Sequence, residues 1–215
     1  MTLHIIIADD HPLFRTALIQ TIENFSNLPD NIQCISCNTI EEVHKYLESD
    51  VDPDLVLLDL HMPGTTGFAG LVNLRGCFPE VPVAMISGDD SPKAISHAEQ
   101  LGAIGYVSKS LDADELEKVI GDLLEGVPRF DKTIDEEDEE LQEIAKRVAS
   151  LTPHQFRVFS MLSQGMLNKQ IAFELDITET TVKSHVTAIL RKLGLRKRTE
   201  VILMSQKFES PATDE

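Results

Sequence analysis

The chain of 215 residues carries 19 basic and 36 acidic side chains for a net charge of −17, and 42% of it is hydrophobic. That length and apolar content suit one large domain or two small ones with real cores. No apolar run approaches the roughly 20 residues that cross a bilayer, and the start shows no export signal, so a cytoplasmic protein with no membrane association is expected.

The charge is uneven. Residues 1–126 hold 6 basic and 21 acidic residues, whereas residues 151–207 hold 9 and 4. A basic segment tied to an acidic one is the distribution expected if only the second part meets a polyanion. Cys34, Cys37 and Cys77 form an odd set without a second CxxC, which supports neither a disulfide framework nor a zinc site. The seven histidines are scattered without metal spacing, and none reads as a side-chain ligand.

Leu3 to Ala8 reads as a buried strand ending at Asp9-Asp10-His11-Pro12, two acids followed by a proline suited to the first turn of a helix. Leu13, Phe14, Ala17, Leu18 and Ile22 then recur at helical spacing. Ile32 to Ser36 reads as a short strand, and Glu41 to Leu47 as a helix capped near Thr39. Leu55 to Leu58 is a continuous apolar run between Pro53 and Pro63-Gly64, the pattern of a strand buried on both faces of a parallel sheet, and it delivers Asp59 at its end. An isolated Asp before Pro-Gly is most simply a turn former. It is alternatively a nucleophile or metal ligand, since ligands of open α/β sheets gather outside the carboxyl ends of strands. A helix from about Thr66 to Arg75 follows, then a strand Pro82 to Ile86 ending at Ser87, and a helix Pro92 to Leu101. Ile104 to Val107 is a fifth strand closed by Ser108-Lys109, and Asp112 to Leu124 a fifth helix.

Strand and helix alternate five times in about 125 residues, which implies an α/β fold: a five-stranded, doubly wound parallel sheet with right-handed crossovers. The common order is 2-1-3-4-5, with a switch point between strands one and three. Asp9, Asp10 and Asp59 then meet in one crevice, with Ser87 and Lys109 beside it. Three carboxylates repel unless a cation holds them, and oxygen-only ligation favours Mg²⁺. Lys109 and the Ser87 hydroxyl suit phosphoryl oxygens, and an Asp carboxylate can itself accept a phosphoryl group.

Asp9-Asp10-His-Pro, Leu58-Asp59-Leu-His-Met-Pro-Gly64, Ser87, Tyr106 and Lys109 resemble the receiver domain of two-component response regulators, of flavodoxin-like fold, over residues 1–126. The resemblance implies that Asp59 takes phosphate from a sensor histidine kinase or a small phosphodonor. It implies Mg²⁺ held by Asp10, Asp59 and the backbone carbonyl of His61, and by Asp9 through water. It also implies that Ser87 turns toward the phosphate, that Tyr106 moves inward, and that Lys109 pairs with the phosphoryl oxygens.

Residues 127–150 change character. The acidic run Asp135 to Glu140 reads as part of a solvated linker, with helical potential from about Glu136 to Ala149; a sharper alternative is that it shields the basic domain as a DNA mimic. From Leu151 to residue 208 the chain is all helical, followed by a polar tail at 209–215. Thr152-Pro153 opens a helix with Phe156, Val158, Phe159 and Leu162 inward, and Asn168 to Leu175 is a short second one. Thr178 caps a third that runs to Leu193, and Thr199 to Lys207 forms a last helix. In the third helix Val182, Val186, Ile189 and Leu193 make a buried stripe, and Lys183, Thr187 and Arg191 line the opposite face beside Ser184. This is a helix-turn-helix pattern, and the cluster Arg191, Lys192, Arg196, Lys197, Arg198 favours phosphate contact.

Leu151-Thr-Pro, Gly165-x-x-Asn168-Lys169-x-Ile-Ala172, Thr181-Val-Lys-x-His-Val186 and Arg198-Thr199 resemble the LuxR-type domain of NarL/FixJ-class regulators. The resemblance implies base contacts from Lys183, Ser184 and Thr187, and backbone contacts to double-stranded DNA from Asn168, Lys169, Thr181 and basic neighbours such as Arg191. It also implies dimerisation through the last helix at Val201, Ile202 and Met204. Gln155 and Arg157 stand where the family carries acids.

The expectation is a DNA-binding response regulator that is a homodimer when phosphorylated on Asp59. It is not an enzyme beyond slow self-dephosphorylation. A magnesium-dependent phosphatase using Asp59 is the competing reading; it lacks a general acid two residues on, where His61 stands, and lacks a substrate cap.

Overall fold

The five buried strands β1 (Leu3–Ala8), β2 (Ile32–Cys37), β3 (Leu55–Asp59), β4 (Val83–Ser87) and β5 (Gly105–Ser108) form one parallel sheet in the order β2-β1-β3-β4-β5. This is the expected topology. The computed structural model describes residues 2–26, 31–49, 52–65, 67–130 and 138–208.

Because side chains alternate along a strand, each strand feeds two cores. Ile5, Ile7, Leu55 and Leu57 face α1 (Pro12–Glu23) and α5 (Ala113–Leu124), meeting Leu18, Ile22, Leu116 and Ile120. Ile6, Ala8, Val56 and Leu58 face the other way, toward α2 (Ile40–Leu47), α3 (Ala69–Cys77) and α4 (Pro92–Gln100). Burying one such aliphatic side chain contributes about 1.5–3 kcal/mol, so a strand apolar on both faces is held from both sides.

Helix starts follow their caps. The side chains of Thr39, Ser91 and Asp112 accept the backbone N–H groups of Glu42, Ala94 and Glu115. Helices α1 and α3 start without a side-chain cap, α1 at Pro12 and α3 at Ala69 after Phe68, later than the Thr66 start read from sequence; Thr66 itself lies outside the described residues. The connection is taken up by a turn in which Thr65 N–H donates to the Met62 carbonyl. Pro63 and Gly64, with φ of +85° at the glycine, match the second and third positions of a type II turn.

The second segment consists of α6 (Glu139–Ala149), α7 (Pro153–Ser163), α8 (Asn168–Glu174), α9 (Glu179–Leu193) and α10 (Arg198–Ser205), which tightens into a 3-10 turn at Gln206–Phe208. Thr152 closes a capping box with Gln155, and Thr178 caps α9. Helix α9 ends at Gly194, whose φ of +70° is the left-handed stop that glycine allows.

The linker of the sequence reading is solvated on one face only. Asp135, Glu136 and Glu137 lie outside the described residues. Asp138 caps α6 by accepting the Leu141 N–H, and Glu140 pairs with Lys207 at 2.9 Å, at the end of α10 and not at α9. Along α6, Leu141, Ala145 and Val148 recur at i, i+4 and i+7 and are buried in the same core as Leu71, Leu74 and Met85 of the sheet domain and Phe156, Phe159 and Ile189 of the helical one. The charge run masks that spacing in the sequence.

Helices α3 and α6 pack closely at Gly76, where an added Cβ would collide with the Ala149 backbone. Gly76→Val is therefore expected to undock α6, increasing the radius of gyration in small-angle scattering. A folded variant with an unchanged radius would overturn this role for the α3–α6 contact.

Candidate functional site

The carboxyl ends of β1 and β3 place their acids side by side. Asp9 N–H extends the sheet by donating to the Cys37 carbonyl, and Asp59 lies in register with Ile86 as the last residue of β3. Asp9 is fully buried and Asp59 is 2% exposed. Asp9 Oδ1 accepts the His11 backbone N–H at 2.7 Å, a local turn that aims the β1–α1 connection back over the crevice.

Lys109, at the end of β5, reaches across β4 to both acids. Its Nζ lies 2.7 Å from Asp9 Oδ2 and 3.0 Å from Asp59 Oδ1, and 4.7 Å from the centre of the Phe14 ring. Burial works against the lysine's charge, but the two carboxylates outweigh it and hold its pKa above the ordinary value. Burial pushes the Asp59 carboxyl up, Asp9 adds to that, and Lys109 opposes it. Asp59 Oδ2 is buried with no hydrogen-bond partner among the described residues.

A divalent cation would suit this arrangement. Asp9, Asp10, His11 and Asp59 each offer a donor atom within 4.8 Å of the others. Two buried anions against one buried ammonium leave the crevice negative.

Ser87 and Tyr106 sit on the flank. Ser87 is buried and its Oγ accepts the Asp89 N–H at 3.1 Å. Tyr106 lies inward, its hydroxyl donating to the Asp89 carbonyl, so the inward position tied to phosphorylation by the family resemblance is the one observed here. Burial pushes the Tyr106 phenol up to about 12. Its backbone N–H donates to the Arg129 carbonyl at 2.8 Å, joining β5 to the start of the linker.

The loop that leaves Asp59 is clasped by the helical segment. Ser160 of α7 donates its hydroxyl to the Gly64 carbonyl, and Phe68 N–H donates to the Phe208 carbonyl at 2.7 Å. Arg157 stands 3.8 Å from Glu41 of α2, so the residue that departs from the LuxR-type pattern makes a contact between the two segments.

On α9, Val182, Ile189 and Leu193 are buried and Val186 is half-buried, while Thr181, Lys183, Ser184, Thr187 and Arg191 are exposed. The Ser184 and Thr187 hydroxyls donate to Thr180 and Lys183 carbonyls of their own helix. Lys169 is exposed, and half-buried Asn168 accepts from Arg198 through Oδ1 at 3.1 Å. The polar face thus points outward and is not covered by the sheet domain.

The last helix needs a correction. Val201 and Met204 are buried in the chain's own core, packed with α7, so neither is available to a second chain in this arrangement. Ile202 is half-buried, and Leu203, 65% exposed, is the apolar residue that α10 presents outward. An exposed-face assignment from sequence slips easily on a helix of eight residues.

Arg15 escaped the sequence reading. It is 9% exposed, its guanidinium donating to the Asp9 carbonyl and, at 2.7 Å from Nε, to Ser36 Oγ, and so it ties the acid-bearing end of β1 to β2. The available signal was a basic residue in line with Leu18 and Ile22 on the buried face of α1. No helix of the described residues is long and apolar enough to cross a membrane.

Comparison with known proteins agrees with this geometry. Residues 5–121 match the response regulator receiver domain, and residues 149–205 match the LuxR family of bacterial regulatory proteins. The chain is 36% identical over 217 residues to a glycerol metabolism activator of Pseudomonas putida, covering 97% of both chains. It is 33% identical over 210 residues to the nitrate/nitrite response regulator protein NarL of Escherichia coli K12, covering 91% of each. Among solved structures, a complex of the response regulator RcsB with DNA shares the fold with a TM-score of 0.53 at 21% identity, covering 96% of this chain and 99% of that one. A LuxR family DNA-binding response regulator from Silicibacter pomeroyi aligns with a TM-score of 0.51 at 31% identity over 60% of this chain and 96% of its own. The chain therefore belongs to the DNA-binding response regulators that join a receiver domain to a LuxR-type helix-turn-helix domain, a family in which phosphorylation and dimerisation govern transcription.

Proposed function

We propose that Asp59 is the phosphoacceptor and that its phosphorylation releases the clasp on the helix-turn-helix domain. The observation that carries this reading is the buried Asp59 carboxylate, whose Oδ1 meets Lys109 and whose Oδ2 has no hydrogen-bond partner among the described residues. That oxygen forms the new bond to phosphorus as the P–N bond to a kinase histidine, or the P–O bond to the carboxyl of a small acyl phosphate, breaks and the imidazole or carboxylate departs. Lys109 then pairs with the phosphoryl oxygens, and the Ser87 hydroxyl donates to them. Mg²⁺ fits at Asp10, Asp59 and the His61 carbonyl, with Asp9 behind, and supplies neutralisation of phosphoryl charge.

Charge added at Asp59 bears directly on the loop that Ser160 and Phe208 hold, beside the α2 residue Glu41 that Arg157 meets. Since the α9 face is exposed in the docked form, control by simple covering of that face is disfavoured, and control through pairing of two copies is favoured. In the dimer two α9 helices enter major grooves about 34 Å apart, with Lys183, Ser184 and Thr187 toward base edges and Asn168, Lys169, Thr181 and Arg191 toward phosphates. Leu203 and Ile202 are the residues of α10 suited to the dimer contact. The partner kinase, the cytoplasm as the place of action, and turnover limited to slow loss of phosphate from Asp59 complete the reading. Sustained turnover of a small phosphate ester would favour the phosphatase alternative.

Intact mass after treatment with acetyl phosphate and Mg²⁺ is expected to show one phosphate adduct on wild type, with a shift toward dimer on size exclusion, and none on Asp59→Asn. An equal adduct on the variant would remove Asp59 from its role.

Burial holds the Asp59 carboxyl above its ordinary pKa, so its ionised form at neutral pH costs the folded state, and that cost falls as pH drops toward the raised value. Asp59→Asn should then raise the thermal midpoint in metal-free buffer by about 2–4 °C, which is about 1 kcal/mol for a chain of this size. Mg²⁺ should raise the midpoint of wild type more than that of the variant. A lower midpoint for the variant would contradict the burial argument.

Arg191→Gln is expected to weaken DNA binding across sequences and to reduce the slope of log affinity against log salt by about 1. An unchanged slope would exclude a phosphate contact from Arg191.

A further inference from the structure

We propose that Lys192 is a positioning residue whose ammonium fixes the recognition helix α9 on the linker helix α6, so that it governs how well bases are read and contributes no phosphate contact. The inference rests on reading α9 as the helix that enters the major groove. It concerns what holds that helix at its C-terminal end.

The sequence groups Lys192 with Arg191, Arg196, Lys197 and Arg198 in one basic cluster. The fold divides that cluster. Arg191 continues the exposed row of Lys183 and Thr187 at a spacing of four, whereas Lys192 stands about 100° further round the helix and is half-buried. There its Nζ donates to the Ser150 carbonyl at 2.6 Å. Ser150 is the C-cap of α6, so the ammonium meets the negative end of that helix and takes up one of the carbonyls that a helix end leaves unpaired.

The contact is returned from α6. Arg147 donates through Nη1 to the carbonyl of Leu193, the last residue of α9, at 3.3 Å, while its Nε meets Glu143 at 3.2 Å. Each helix thus carries a cation of the other at its C-terminus. Beneath them Val148 of α6 and Ile189 and Leu193 of α9 are fully buried in one core. Apolar contact of that kind has no direction and tolerates a small rotation of one helix on the other. Two hydrogen bonds at one end are directional, and they set the rotation of α9 and hence where Lys183, Ser184 and Thr187 point.

The residues on either side of Ser150 are met from α3. Gly76 packs against the Ala149 backbone, and Cys77 Sγ donates to the Leu151 carbonyl at 3.6 Å. The clamp therefore ties the recognition helix to the joint between the two domains as well as to its own bundle. A Lys192 that reached for DNA would have to abandon this carbonyl.

The two roles leave different signatures. A cation on a phosphate strengthens binding to every duplex and adds to the salt slope, whereas a recognition helix that is turned away loses base contacts. The test uses the full chain treated with acetyl phosphate and Mg²⁺. Wild type first selects duplexes from a random pool, and affinities for a selected duplex and for a random-sequence duplex are then measured across a salt series. Lys192→Gln is expected to weaken the selected duplex by about fivefold or more, with random-duplex affinity changed by less than about twofold and the salt slope unchanged. Lys192→Arg, which can still donate to the Ser150 carbonyl, should recover most of the loss. Arg147→Gln breaks the returning bond from outside α9 and should reproduce the Lys192→Gln pattern, which keeps the clamp testable should Lys192→Gln not fold. Equal weakening of both duplexes by Lys192→Gln, with a slope lower by about 1, would make Lys192 a phosphate contact and overturn the inference alone. Full retention of both duplexes by Lys192→Gln and Arg147→Gln would overturn it as well. A wild type that retains no sequence from the pool would overturn the reading of α9 and the inference together.

Discussion

Two buried carboxylates at the ends of adjacent strands, with one ammonium between them, are the interaction on which the rest of the structure depends. Like charges about 4 Å apart in a medium of effective dielectric near 20 repel by about 4 kcal/mol, and both Asp9 and Asp59 are buried. Lys109 relieves most of that repulsion, and it does so from β5, on the far side of β4 from Asp59. Its long stem passes beside Phe14, which is where a flexible cation gains a fixed position. The strand order thus has an electrostatic consequence: only with β3 between β1 and β4 do the three groups converge.

The same constraint connects chemistry to the second domain. Asp59 closes β3, and the chain then makes a Pro-Gly turn before α3. Ser160, Phe208 and Arg157 reach that loop and the neighbouring α2 from the helical domain, while α6 lies against α3 through Gly76. A change at Asp59 therefore meets the interdomain contact within a few residues of chain. The polar residues of α9 stay exposed while α7 and the Phe208 turn dock on the sheet domain.

Much of this was legible in the order of residues. Five largely apolar strands, each followed by a helix, specify a doubly wound sheet through local pattern and chain connectivity. Acids and a lysine placed just past strand ends then have one crevice in which to meet. Other features were not legible. Arg15 ties the end of β1 to β2 through Ser36 and the Asp9 carbonyl, partners that only the tertiary structure brings beside it. Arg157 broke a family pattern without showing that Glu41 was its counterpart. The spacing of Leu141, Ala145 and Val148 was hidden beneath a run of acids.

The sequence by itself determined which segments are strands and helices, where the helices are capped, and which acids stand at strand ends, because these depend on neighbours within a few residues. Tertiary structure alone decided that His11 leans over the acids, that Val201 and Met204 belong to the chain's own core, and that Gly76 must be a glycine for α6 to lie on α3. Each of those is a distance between side chains or backbones brought together only by packing. Hydrophobic pattern fixes which face of an element is buried, and leaves open what it is buried against.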